Sequence, residues 1–292
     1  MDLLNEEFRE SIIRNSLELL HDQWIKLGVS FEAERRFDIF SDPEAAIVFS
    51  GYFERYDSDI YRVCRVWPGA NCEHLNMARL KRMKPKGIRF PASLGLESTP
   101  KSMPYTSSKY IGTIDMEAGE NLLPRLRLIF GCTTKAEVLF HLLTSGEANS
   151  YQIARKRFLN QKAVHTELDK LSRAGVLRER RNGRERLFRV NQSFLFLHSD
   201  KREELSVAWF LTAIVFILER CLNDELINYR RLVNASFDNN RRTICDYFMN
   251  SGVLINEFET ESPQDFYDTI REKYRSFVES LRHNHSKKDM DI

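Results

Sequence analysis

The chain has 292 residues, 42% of them hydrophobic and 29% charged, with 12 Gly and 8 Pro; this excludes a disordered, collagen-like or low-complexity protein and leaves room for two or three modules. The formal net charge of +2 gives no general attraction for polyanions, so any such attraction must come from charge gathered in one place. Five cysteines (Cys64, Cys72, Cys132, Cys221, Cys245), an odd number without a CxxC pair, argue against a disulfide framework or zinc ribbon and for a reducing cytoplasm. Cys64, Cys72 and His74 are close enough in sequence to raise a metal site, but no fourth ligand stands at a zinc-like spacing, so neither a metal nor a cofactor is expected.

The opening MDLLNEEFRE is acidic and amphipathic, without the basic start and apolar run of a signal peptide. Residues 1–83 read as a helical N-terminal domain. Its first helix carries Ile13, Leu17, Leu20, Trp24 and Leu27 at alternating steps of four and three, a short seam that can pack on its own domain or pair two copies. Gly28 stops it. Asp42-Pro43-Glu44 supplies a cap, a first-turn proline and an acid, and predicts a helix running to Arg55. A third helix follows Asp57-Ser58-Asp59 and is expected to stop before Pro68; a fourth covers His74 to Met83. Residues 84–120 read as a linker or extended arm, because Lys84–Lys109 contains Pro85, Pro91, Pro100 and Pro104, half of the chain's prolines.

Residues 121–192 change character. Thr133 or Thr134 can cap a helix with Glu137 in its first turn and an apolar stripe of Val138, Leu139, Leu142 and Leu143, ended by Gly146. A short helix, Ser150 to Lys156, is followed by a turn at Phe158-Leu159-Asn160. Asn160 then caps a third helix, Gln161 to Ala174, with Val164, Leu168 and Leu171 inward, and Gly175 closes it. The pattern becomes extended on either side of Asn182-Gly183, the strongest short signal for a β-hairpin. A loop on those two residues would set Leu177 opposite Phe188, Glu179 opposite Arg186, Arg180 opposite Glu185 and Arg181 opposite Arg184. Between Tyr151 and Val190 stand 12 Lys and Arg against 4 Asp and Glu, so the positive charge is concentrated here.

Three helices and a charged hairpin make the plan of a winged helix-turn-helix, in which the third helix enters the major groove and the hairpin reaches the adjacent backbone. The run Leu159 to Leu177, LNQKAVHTELDKLSRAGVL, with the arginine-rich hairpin after it, resembles bacterial and archaeal transcription regulators of the ArsR/MarR type; Arg125 to Gly131 resembles the opening segment of such domains. The likeness covers under a quarter of the chain. It implies duplex DNA binding, with Gln161, Lys162, His165 and Thr166 facing base edges and Tyr151, Gln152, Arg155, Arg181, Arg184 and Arg186 holding phosphates. The metal-sensing cysteines of ArsR-type sensors are absent from the third helix.

Residues 193–282 read as a helical C-terminal domain and His283–Ile292 as a frayed tail. Leu205 to Leu218 is fourteen residues without a charge, short of the about twenty that a membrane span needs, so it is expected inside a core or an interface and no membrane partner is expected. No P-loop, GxGxxG, GxSxG or HExxH motif is present, so no enzyme is expected. The overall expectation is a mainly α protein, a winged helix-turn-helix between helical flanks. It would bind double-stranded DNA as a cytoplasmic homodimeric repressor, paired through Leu3–Leu27, Leu205–Leu218 or both. The competing expectation is an antitoxin-like or defence-system protein that uses the same module to dock another protein.

Overall fold

A computed structural model describes residues 2–32, 37–83, 111–191, 206–220, 241–253 and 263–286. Four helices come first: α1 (Asp2–Lys26), α2 (Pro43–Ser50), α3 (Ser58–Ala70) and α4 (Met77–Met83), with a 3-10 turn at Cys72–His74 before α4. Next come α5 (Leu122–Phe130), α6 (Thr134–Ser145), α7 (Ser150–Lys156) and α8 (Gln161–Arg173), then a two-stranded antiparallel sheet of β1 (Leu177–Asn182) and β2 (Glu185–Val190). Helices α9 (Val207–Arg220), α10 (residues 241–251) and α11 (Pro263–Ser286) close the chain. The protein is therefore mainly helical with one small sheet. Among the described residues no helix is long and apolar enough to cross a membrane.

Local chemistry explains most of these elements. Asp42 and Asp57 cap α2 and α3 by accepting backbone N–H bonds in the first turn, and Asn160 does the same for α8. Asn149 and Gln152 form a reciprocal capping box on α7. Gly28, at φ +83°, ends α1 in the left-handed region, and a Cβ there would meet the Thr113 carbonyl oxygen at 2.7 Å, so both backbone and space require glycine. Four helical expectations need correction. Helix α4 begins at Met77 rather than His74, which belongs to the preceding 3-10 turn. Helix α2 stops at Ser50 rather than Arg55. Helix α3 runs two residues past Pro68, with the Asn71 N–H donating to the Trp67 carbonyl at 3.0 Å; proline near a helix end removes one bond without ending the helix. The Thr133 hydroxyl donates to the Phe130 carbonyl and makes no cap bond to α6.

Two apolar clusters organise the molecule. The larger takes residues from α1 to α4 and also from α9, α10 and α11, so the stretches expected as N- and C-terminal domains contribute to one cluster. Leu20, Trp24 and Leu27 are fully buried in it, as are Leu211, Ile214 and Ile217. Both stretches nominated for pairing two copies thus supply residues to the core of their own chain, while Ile13 and Leu17 of the first remain partly exposed. The expected linker returns to this body: Ile111 pairs with Val29, and the Gly112 N–H donates to the Gly28 carbonyl at 2.7 Å. The arm from Lys84 to Lys109 and the start of the C-terminal stretch lie outside the described residues, as does the tail beyond Ser286; His283 to Ser286 continue α11.

The smaller cluster is built from α5 to α8, β1 and β2, with Val164, Leu168 and Phe188 at its centre and Phe40 entering from the body. The hairpin register differs from the expected one by two residues: Leu177 faces Val190, Glu179 faces Phe188, Arg181 faces Arg186 and Asn182 faces Glu185. The loop is Gly183-Arg184, with positive φ only at Gly183, the pattern of a type II′ turn rather than the type I′ turn expected of Asn182-Gly183. Contacts at the far end of the ribbon explain the shift. Ala148 and Phe188 exchange backbone bonds of 3.1 and 2.9 Å, and the Asn191 N–H donates to the Val176 carbonyl at 2.8 Å. The slip is even, so each side chain keeps its face.

Candidate nucleic-acid interface

Where the two clusters meet, three arginines and three carboxylates are buried together. Helix α2 is buried at every residue, and Glu44 in its first turn is fully enclosed. The Glu44 carboxylate accepts from Arg127 Nη1 and Nη2, both at 2.8 Å, from Arg79 Nη1 at 2.5 Å, and from the Asn76 N–H at 2.6 Å. Asp42 accepts from Arg79 Nη1 at 2.7 Å while still capping α2. Glu137 accepts from Arg127 and, through Oε2, from Arg157 Nη2 at 2.8 Å. The Arg157 guanidinium also lies over the Phe140 ring, 4.5 Å from its centre. Burial by itself would raise the Asp42 and Glu137 carboxyls, but the neighbouring guanidiniums outweigh it: Asp42 is held well below the usual range, and Glu137 is brought down to about 2. Burial would likewise favour neutral Arg79 and Arg127, and the carboxylates around them raise both instead.

By sequence alone Glu137 is a first-turn carboxylate, Asp42 and Glu44 mark a helix start, and Arg157 counts toward the basic surface. All four belong to this joint. Arg79 carries no sequence signal of its role, because nothing distinguishes it from Lys81 and Arg82 in α4 or points to a partner 37 residues away.

The opposite side of α8 is open. Gln161, Lys162, His165 and Thr166 are all exposed, and so are Tyr151, Gln152, Arg155, Arg181 and Arg184. The amphipathic spacing that buries Val164, Leu168 and Leu171 turns the polar residues away from the core. The four residues on α8 differ in freedom. The Thr166 hydroxyl donates back to the Lys162 carbonyl at 3.0 Å. His165 Nδ1 lies 3.1 Å from Asp169, and its Nε2 lies 3.5 Å from Arg186. Gln161 and Lys162, in the first turn, have no such side-chain ties among the described residues. On α7, the Gln152 side-chain oxygen is engaged in the capping box, accepting from the Asn149 N–H at 2.9 Å.

Arg186 is the residue whose expected role changes. Its guanidinium donates to both Glu179 oxygens at 2.8 and 2.7 Å and to Asp169 Oδ1 at 2.9 Å. Its hydrogen bonds to the Glu179 carboxylate raise its proton affinity despite partial desolvation. Both edges of the fork are engaged, so Arg186 is a strut between β2 and α8 rather than an open phosphate contact. Arg180, expected opposite Glu185, instead pairs with Glu147 at 2.6 Å. Arg155, Lys162, Arg181 and Arg184 meet no carboxylate within 4 Å among the described residues. Chemically, the surface offers uncompensated cations beside a helix face that carries amide, ammonium, imidazole and hydroxyl groups.

The sulfur and imidazole groups singled out earlier are dispersed. Cys64 is buried, and burial pushes its thiol up to about 12; its Sγ donates to the Tyr61 carbonyl. Cys72 is exposed and His74 buried. Among the described residues no group of three or more His, Cys, Asp or Glu is placed to hold a metal ion.

Neither protein-family models, nor curated proteins, nor solved structures give a match to this chain.

Proposed function

We propose that residues 121–192 form a winged helix-turn-helix that binds duplex DNA, with α8 in the major groove and the β1–β2 hairpin against the flanking backbone. The carrying observation is that the polar face of α8 and the hairpin tip are exposed together, joined by the Asp169–Arg186–Glu179 bridge that fixes their angle. Three features support the fold. The helices and hairpin come in the required order, the turn before α8 is short, and Ala148 pairs with Phe188 to add a third backbone segment to the ribbon. Arg155, Arg181 and Arg184 are proposed to hold phosphates, and Gln161 and Lys162 to meet base edges first, with His165 and Thr166 further along. Arg186 orients the hairpin. The proposed role is transcriptional regulation.

A second reading, docking of another protein, draws on one observation. Leu128 and Ile129, at the end of α5, are 53% and 58% exposed, and Phe130 beside them is 37% exposed. Footprinting on the DNA upstream of the protein's own coding sequence separates the two. A protected segment one or two helical turns long supports the DNA reading. No protection and no retention of duplex at physiological salt favours the other.

A further inference from the structure

Phe158 sits in the turn between α7 and α8, yet its ring packs against the cluster of the helical body rather than that of its own unit. Its φ is +55°, and among the described residues no other non-glycine has a positive φ. A phenylalanine in the left-handed region is strained, and such strain persists only where the surroundings over-determine it. The surroundings are specific. The Phe158 ring stacks on Trp209 of α9 with centres 4.7 Å apart and planes 23° apart. Trp209 in turn meets Tyr247 of α10 at 5.5 Å. One residue before, the Arg157 carbonyl accepts from Arg79 Nε at 3.1 Å. One residue after, the Leu159 N–H donates to the Ala154 carbonyl at 2.8 Å, and Asn160 then caps α8. Helix α8 thus begins three residues beyond an aromatic contact with the body.

We infer that Trp209 is a positioning residue for α8: through the stack on Phe158 it sets the angle at which Gln161, Lys162 and His165 are presented. The inference rests on α8 being the base-reading helix. Trp209 itself reaches none of those side chains; it acts on them through the turn. The same stack makes the α9–α10 pair a route, beside the arginine–carboxylate joint, by which a change in the body would reach the DNA-facing surface.

The test compares Trp209→Ala and Trp209→Phe in the full chain, by two measurements. In DNA-free protein, hydrogen exchange at the Leu159 and Val164 amides should quicken at least about tenfold in Trp209→Ala. The Ala148 and Phe188 amides, in the ribbon, should keep their protection, and Trp209→Phe should resemble the wild type. In binding, the ratio of specific to random duplex affinity should fall about tenfold in Trp209→Ala, with an unchanged salt slope because no cation is lost, and Trp209→Phe should restore it. Unaltered exchange in the turn overturns the inference whatever the DNA result. Quickened exchange with an unaltered affinity ratio overturns it too. A wild type that binds no duplex overturns the proposed function itself, and the exchange result tells that failure apart from a failure of the stack.

Discussion

The same residue types do opposite work in two parts of this molecule. At the joint between the clusters, Arg79, Arg127 and Arg157 are dry and matched by Asp42, Glu44 and Glu137. About the hairpin, Arg181 and Arg184 stand in water with no carboxylate within 4 Å among the described residues. Buried arginines must be paired because an isolated charge out of water is very costly; exposed ones can stay unpaired because water solvates them. A count of basic residues along the chain therefore overstates the surface available to a polyanion. Arg157 belongs to the joint, while Arg180 and Arg186 are tied to acids.

The largest effect expected from breaking this contrast is at the joint. Arg127→Met leaves Glu44 and Glu137 short of a partner, and urea unfolding should show a loss of about 3–5 kcal/mol. Acid should act on the same groups. The Asp42 and Glu137 carboxyls are depressed in the folded protein, so their stabilisation is complete above the ordinary carboxylate values of 3.8 and 4.5. It is lost as pH falls through the folded values, which for Glu137 means toward about 2. A stability profile from pH 6 down to pH 2 should fall in that window, and Glu137→Gln, though less stable throughout, should flatten it. Arg186→Ala, at the half-exposed strut, should cost only about 0.2–1 kcal/mol, since exposed ion pairs contribute little. On the proposed reading the same change loosens the hairpin and weakens binding to specific and random duplexes alike. Smallest in stability is Arg181→Ala with Arg184→Ala, expected within about 0.5 kcal/mol of the wild type.

The contrast also explains what could be read from the sequence. Those helix starts and stops that rest on a cap or a left-handed glycine were legible because their causes are local, whereas the ends of α2 and α3 were not. Asp42, Asp57 and Asn160 cap the helices that follow them, and Gly28, Gly146 and Gly175 stand at helix ends with positive φ. The inward stripe of α8 follows from its period alone. The joint was illegible because its partners are distant in sequence, Glu44 from Arg127 by 83 residues and Arg79 from Arg157 by 78. The hairpin illustrates the boundary between the two kinds of information. Its existence follows from Asn182-Gly183 flanked by extended residues, but its register is set by Ala148 and Asn191, which no turn rule includes. The seam of α1 shows the same limit: a 4–3 spacing fits a partner helix or the chain's own core equally well, and here the core takes Leu20, Trp24 and Leu27 while Ile13 and Leu17 stay partly exposed. Of the candidate surface, the exposure of Gln161, Lys162, Arg181 and Arg184 follows from periodicity, whereas the engagement of Arg186 depends on Glu179 across the ribbon and Asp169 on α8.

The most direct test of the central claim is the salt dependence of duplex binding by the wild type and by the Arg181→Ala, Arg184→Ala double variant, followed by fluorescence anisotropy from about 50 to 200 mM salt. Each phosphate contact contributes roughly 0.9 to the slope of log K against log salt, so the double variant should lose about 2 from the wild-type slope while folding normally. A slope that does not change, or a wild type with no affinity for duplex DNA at the lowest salt, would contradict the assignment of this surface to DNA.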